Sequence, residues 1–180
     1  MWHRFCNLSR INEYYLQSMT PAQYNQCVKD YADGVFRFIM KNLKDSDEAK
    51  NIVQNTFEKV WIRRDEVIYE KAKSYIFTIA YREMIDAIRL KKKFTTMEDV
   101  EENSFKSTET NYTGIKALVD KLVNKLPENQ RSAIILRDYE GHDYKTISEI
   151  TGMTEAQVKI NIFRARQFLK ECIGKMEVLI

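Results

Sequence analysis

Apolar residues recur at three- and four-residue intervals through most of this chain, a period that belongs to helices rather than strands. Between Pro21 and Leu43 the stripe is Tyr24, Cys27, Val28, Tyr31, Val35, Phe36, Phe38 and Ile39, interrupted only by Gly34. A second stripe, Ile52, Val53, Phe57, Val60 and Trp61, runs through a helix predicted from about Asp47 to Arg64, with Asp45, Ser46 and Asp47 as candidate N-caps. A third, Tyr75, Ile76, Ile79, Ala80, Ile85 and Ile88, spans about Lys73 to Lys93. The period resumes at Ile115 with Leu118, Val119, Leu122 and Leu126, then in a helix opened by Pro127 and closed by Gly141. Turn formers are scarce to match, with 5 Gly and 2 Pro in 180 residues. That scarcity excludes a Gly-rich phosphate loop and a turn-rich β-sandwich. The expected fold class is all-α.

The period fails in two places. Residues 65–72, DEVIYEKA, read as a polar connector inside the first block. Residues 94–114 have no sustained period and are rich in Ser, Thr, Asn and acidic side chains, which predicts a flexible linker. The expected organisation is therefore an N-terminal extension over 1–19, a helical domain over 20–93, a linker over 94–114 and a second helical domain over 115–180. Charge follows the same division. The net charge of +3 is a mild bias, but it hides a first block with 15 basic against 11 acidic residues. The linker sets Lys106 against Glu98, Asp99, Glu101, Glu102 and Glu109, and the last block has 11 basic against 9 acidic residues. Two basic domains are joined by an acidic tether.

Cys6, Cys27 and Cys172 are odd in number and widely spaced, so a disulfide framework is not expected and a reducing cytoplasm fits. His3 and Cys6 alone lack the four ligands of a structural zinc site. No run of 18 apolar residues stands ready to cross a membrane, and polar residues break any signal-peptide core. No catalytic constellation emerges. His142 falls in a turn and reads as a solvated loop residue, and the Glu101–Glu102 pair lies in the linker. Neither a metal, a cofactor nor a small-molecule substrate is expected.

Residues 144–166, YKTISEITGMTEAQVKINIFRAR, have the layout of a helix–turn–helix. Ile147, Ile150 and Val158 would join the two helices, with small Ser148 at their close approach and Gly152 in a left-handed turn. Thr154, Glu155, Gln157, Lys159 and Asn161 would be exposed near the start of the second helix. Gln, Lys and Asn carry the donors and acceptors that base edges require in the major groove. Arg164 and Arg166 lie further along, where phosphate contact is more natural. An ordinary helical hairpin with a solvated face would share this pattern.

Four segments in order carry a wider likeness: DEAKNIVQNTFEKVW (47–61), KAKSYIFTIAYREMIDAIRLKKK (71–93), LPENQRSAIILRDYEG (126–141) and the helix–turn–helix. Together they resemble the extracytoplasmic-function (ECF) sigma factors of bacteria, small two-domain members of the sigma-70 superfamily. The likeness covers about residues 20–173. It implies an alternative sigma factor without catalytic residues. Its partners would be core RNA polymerase, through the β′ clamp helices and the β subunit, promoter DNA and an anti-sigma factor. The first domain would bind β′ and melt the −10 element, and the second would read the −35 element. The acidic linker would thread the polymerase near the RNA path.

The resemblance also implies site residues. Asn51, Gln54, Asn55 and Glu58 would meet β′, although Lys50 and Asn51 stand where relatives are often acidic. Tyr69 sits in the connector that captures a flipped −10 base and offers a stacking ring. Tyr81 and Arg82 stand where many relatives have Arg-Asn, and Asp86 and Arg89 match the pattern. Arg89, Lys91, Lys92 and Lys93 would contact phosphate, as would Arg131 and Lys145 in the second domain. On the reading face Ala156, Gln157, Ile160 and Asn161 depart from the commoner residues, so the −35 preference cannot be borrowed. Two other readings remain: a dimeric helix–turn–helix regulator independent of polymerase, which leaves 47–61 without a role, and a helical adaptor that binds no DNA.

Overall fold

The computed structural model describes residues 18–95 and 115–177, except the side chains of 92, 94, 95, 115–117 and 175–177. The expectations for the N-terminal extension up to residue 17, and for the linker over 96–114, lie outside the described residues. Within them the chain is helical: α1 (Pro21–Leu43), α2 (Ser46–Ile62), α3 (Ala72–Thr95), α4 (Ile115–Val123), α5 (Glu128–Ile134), α6 (Tyr144–Thr151) and α7 (Glu155–Glu177). Among the described residues the one extended pairing is an isolated antiparallel bridge between Ser18 and Ile68.

The helix ends follow local chemistry. Thr20 and Gln23 close a capping box on α1, with Pro21 in its first turn where a missing N–H costs nothing. Asp45 accepts from the Glu48 amide and caps α2. Gly152 ends α6 at φ 74°, the left-handed cap its sequence position predicts. α5 runs on into a π-helical turn over Ile135–Tyr139, closed by the Glu140 amide donating to the Ile135 carbonyl.

α1, α2 and α3 pack on one another around Val35, Phe38, Ile39, Val60, Ile76 and Phe77. α5 and α6 pack on α7 around Ala133, Leu136, Ile147, Val158, Ile162 and Ala165. Each fully buried large side chain contributes about 1.5–3 kcal/mol, so either cluster is enough to define a core. The apolar stripes visible in the sequence supply most of these residues.

Four placements differ from expectation. The 65–72 connector is ordered: two single 3-10 turns flank buried Val67, and the Met19 amide donates to the Arg64 and Val67 carbonyls. Met19, expected in the extension, is itself a core residue at 1% exposure. Trp61, expected inside, is 40% exposed at the end of α2, where it packs edge-on against Tyr24 and carries the Arg64 guanidinium over its ring. His142, expected in solvent, is buried.

His142 is buried because the two helical units dock. α6 lies on α3, and α5 on α1. The ring of His142 meets Phe77 edge-on, 4.8 Å between centroids. Lys73 Nζ donates to the Glu140 carbonyl at 2.5 Å, and Arg37 reaches the Glu140 carboxylate. Gly34 explains itself here: a Cβ at that position would lie 2.6 Å from Glu140 Oε2, so only glycine seats this carboxylate undisturbed. Deeper in, Ser132 Oγ donates to Asn42 Oδ1 at 3.0 Å while Asn42 Nδ2 donates to its own Phe38 carbonyl. Lys41 pairs with Asp120 and lies over the Tyr139 ring. Buried polar groups survive burial only when hydrogen-bonded, and Asn42 and Ser132 satisfy one another across the domains.

Candidate polymerase and promoter surfaces

α2 buries Ile52, Phe57 and Val60 and turns Asn51, Gln54, Asn55 and Glu58 outward. All four residues are exposed on the side opposite the core, which is what helical spacing dictates. The same end of α2 exposes Ile62 at 67% alongside Trp61. The sequence reading did not select this apolar pair, because Trp61 falls on the core stripe by spacing alone.

On α3 and its approach the candidate residues divide. Tyr69 opens a 3-10 turn and is half-buried against the core. Tyr81 is half-buried beside Phe38, its ring 6.5 Å away, and burial raises its hydroxyl pKa. Arg82 is exposed, as are Asp86 and Arg89, which pair with each other at 3.5 Å across one helical turn. Lys91 donates to Asp45 Oδ2 at 2.8 Å, a contact that lowers the Asp45 pKa. Lys93 is exposed; the Lys92 side chain is outside the described residues. Arg82, Arg89 and Lys93 thus offer exposed positive charge along the second half of α3.

In the second domain, α6 and α7 form the helix–turn–helix. Asp143 caps α6 through the Thr146 amide, and hydrogen bonding from the Thr146 side chain and then from that amide holds the Asp143 carboxyl below the usual carboxylate range. Ser148 Oγ donates to the Met153 carbonyl at 2.6 Å and pins the turn. Thr154 and Gln157 close a capping box at the head of α7: the Thr154 amide donates to Gln157 Oε1, and the Gln157 amide donates to Thr154 Oγ1. Asn161 Nδ2 donates to the Gln157 carbonyl at 2.9 Å. Both polar candidates on the reading face are therefore engaged by their own helix.

The basic candidates differ in setting. Lys145, Lys159 and Arg164 are exposed, with Lys159 over the Tyr144 ring at 5.7 Å. Arg166 grips Asp138 through Nε and a terminal nitrogen, which raises its pKa further. Arg131 is turned inward. Its guanidinium donates to the Asn42 carbonyl at 3.2 Å and the Leu126 carbonyl at 2.9 Å. It bonds the domains together in this arrangement, and a phosphate contact requires it to leave that place. Thr154 and Glu155 are exposed at the helix start. Phe163, not selected from the sequence, is 67% exposed on α7. Its spacing from Ile160, on the side away from Val158 and Ile162, is the signal that marks it.

Comparison with known proteins identifies the two helical units. Residues 27–94 match the family model for sigma-70 region 2, and residues 116–169 match that for sigma-70 region 4. The chain is 32% identical over 145 residues to the ECF RNA polymerase sigma factor SigM of Bacillus subtilis, covering 78% of this chain and 88% of that protein. The chain belongs to the ECF sigma factors. It is also 29% identical to the RNA polymerase sigma factor SigV of the same organism, over 88% of this chain and 96% of that one. Among solved structures it is similar to the sigma factor RpoE in complex with the anti-sigma factor NepR from Bartonella quintana. That match has a TM-score of 0.74 at 25% identity and covers 84% of this chain and 96% of the other. CnrH, solved with the cytosolic domain of CnrY, shares the fold at a TM-score of 0.61.

In this ECF sigma factor, α1–α3 are thus region 2 and α4–α7 region 4. The two regions account for promoter recognition and the initiation of transcription by RNA polymerase. Among the described residues no helix is long and apolar enough to cross a membrane.

Proposed function

We propose that region 2 docks on the β′ clamp helices of core polymerase through Asn51, Gln54, Asn55 and Glu58, with Trp61 and Ile62 as an apolar margin. Further contact is to the β subunit. Arg82, Arg89, Lys91, Lys92 and Lys93 follow the phosphates of the −10 element while Tyr69 and Tyr81 stack unpaired bases as it melts. Unstacking costs a few kcal/mol, which stacking on aromatic rings offsets. Region 4 sets α7 in the −35 major groove, with Lys145, Arg164 and Arg166 on phosphate. The protein acts in the cytoplasm, without catalytic residues of its own, and is held by an anti-sigma factor when idle. The observation that carries this reading is the conjunction in one chain of an exposed polar α2 face, a basic α3 and a formed helix–turn–helix.

The docked arrangement bears on the mechanism. Two elements named for positions −10 and −35 lie about 25 base pairs apart, roughly 85 Å at 3.4 Å per pair. Domains in side-chain contact cannot hold both. Binding polymerase and promoter must part α6 from α3 and release Arg131 from the Asn42 carbonyl. Run-off transcription with cognate core polymerase on a promoter library tests the function. Initiation that depends on this protein is the expected result; identical transcripts with and without it would overturn the proposal.

A further inference from the structure

We propose that Ile160 and Phe163 read thymine in the −35 element, seating its C5-methyl groups in the major groove. The inference rests on the promoter-reading function above. Ala156, Ile160, Phe163 and Gln167 share the face of α7 opposite buried Val158, Ile162 and Ala165. Ile160 is 49% and Phe163 67% exposed, two large apolar side chains one helical turn apart. Single exposed apolar residues are ordinary. These two stand at the centre of the face that a recognition helix presents to DNA.

The polar neighbours point the same way. An adenine is read by Gln or Asn through the side-chain carbonyl and amide together. Gln157 Oε1 is taken by the Thr154 amide, and Asn161 Nδ2 by the Gln157 carbonyl. Reading an adenine through carbonyl and amide together therefore competes with bonds that already fix where these side chains lie. Ile160 and Phe163 have no such duty. Thymine alone among the bases shows a methyl group in the major groove, and apolar side chains are its partners. Lys159 and Arg164 flank the pair and are exposed. Their charge matches a polyanion rather than an apolar protein groove.

The test uses holoenzyme reconstituted with cognate core polymerase. A template pool randomised across the −35 element yields the preferred sequence, and each thymine on either strand is then replaced by deoxyuridine, which lacks only the methyl. The natural protein should lose affinity about fourfold at one or two thymines, the worth of one buried methyl. Phe163→Ala or Ile160→Ser should abolish that loss while circular dichroism stays unchanged. Binding that ignores uracil, or a uracil loss equal in the variants, overturns the inference and leaves the promoter-reading function standing. No binding to any template overturns both. A natural protein that ignores uracil but sediments as a dimer, with Phe163→Ala a monomer, assigns the pair to a second copy of this chain and overturns the inference.

Discussion

Region 4 carries two contrasting faces. The face toward region 2 is crossed by polar contacts, Ser132 with Asn42, Arg131 with the Asn42 carbonyl and Lys73 with the Glu140 carbonyl, and it also buries His142 Nε2 and Arg131 Nε without a hydrogen-bond partner. The outer face of α7 is the reverse. Gln157 and Asn161 are folded back on their own helix backbone, while Ile160 and Phe163 stand in water. A buried face that spends hydrogen bonds on one partner is specific to that partner, since an orphaned buried polar group costs about 1–3 kcal/mol. An outer face left with apolar groups and flanking cations is available to a partner from outside. The contrast separates the face that joins the two regions from the face left to solvent.

Acid should have the largest effect on the closed face. Burial, reinforced by the Lys73 charge and opposed by Asp143, lowers the His142 pKa to about 4. Once the domains part, the imidazole regains an ordinary value near 6.5. Above about pH 6.5 it is neutral in both states and docking is at full strength. As the pH falls from about 6.5 to about 4, the parted state takes up a proton that the docked state refuses. Docking then weakens by on the order of 3 kcal/mol. Spin labels at exposed Glu70 and Lys170 should move apart through that window, and His142→Leu should remove the response. An unchanged distance from pH 7 to pH 4 would contradict the assignment.

Asn42→Leu comes next. It strands the Ser132 hydroxyl without its acceptor across the domains and should weaken docking by about 1–3 kcal/mol, seen as a larger population of the long label distance at pH 7. The outer face should not respond: Phe163→Ala should leave the label distance and the unfolding midpoint where they are. A shift in either would join the two faces that the structure separates. The smallest effect is expected for Arg164→Gln. It should lower the slope of log affinity against log salt by about one for promoter binding by holoenzyme, as one phosphate contact is lost. An unchanged slope would place Arg164 away from the backbone.

The two faces were not equally legible in the sequence. Helix type and core came through because Val35, Phe38, Ile52, Ile76, Val158 and Ile162 sit on stripes whose period is a local property. Gly152 and Asp45 also acted locally, as cap residues do. His142 was misplaced because its burial depends on Phe77, which is 65 positions away in the sequence and on another domain. Arg131 read as a phosphate contact for the same reason: nothing local to it announces Asn42. Gly34 looked like a flaw in a helix until Glu140 came to rest on it. On the outer face, the polar residues at the head of α7 drew attention as readers. Thr154-x-x-Gln157 is also a capping-box pattern, and that local role is the one the structure fills. Trp61 shows the limit of spacing, since a stripe position at the end of a helix can extend past the core it points toward.

The central claim is that one face holds the domains together at rest and must release them on the promoter. Paired-label distances between Glu70 and Lys170, in the free protein and in holoenzyme on promoter DNA, measure it most directly. One short distance in the free protein and a distance longer by tens of ångströms on the promoter is the predicted result. The same short distance in both would contradict it.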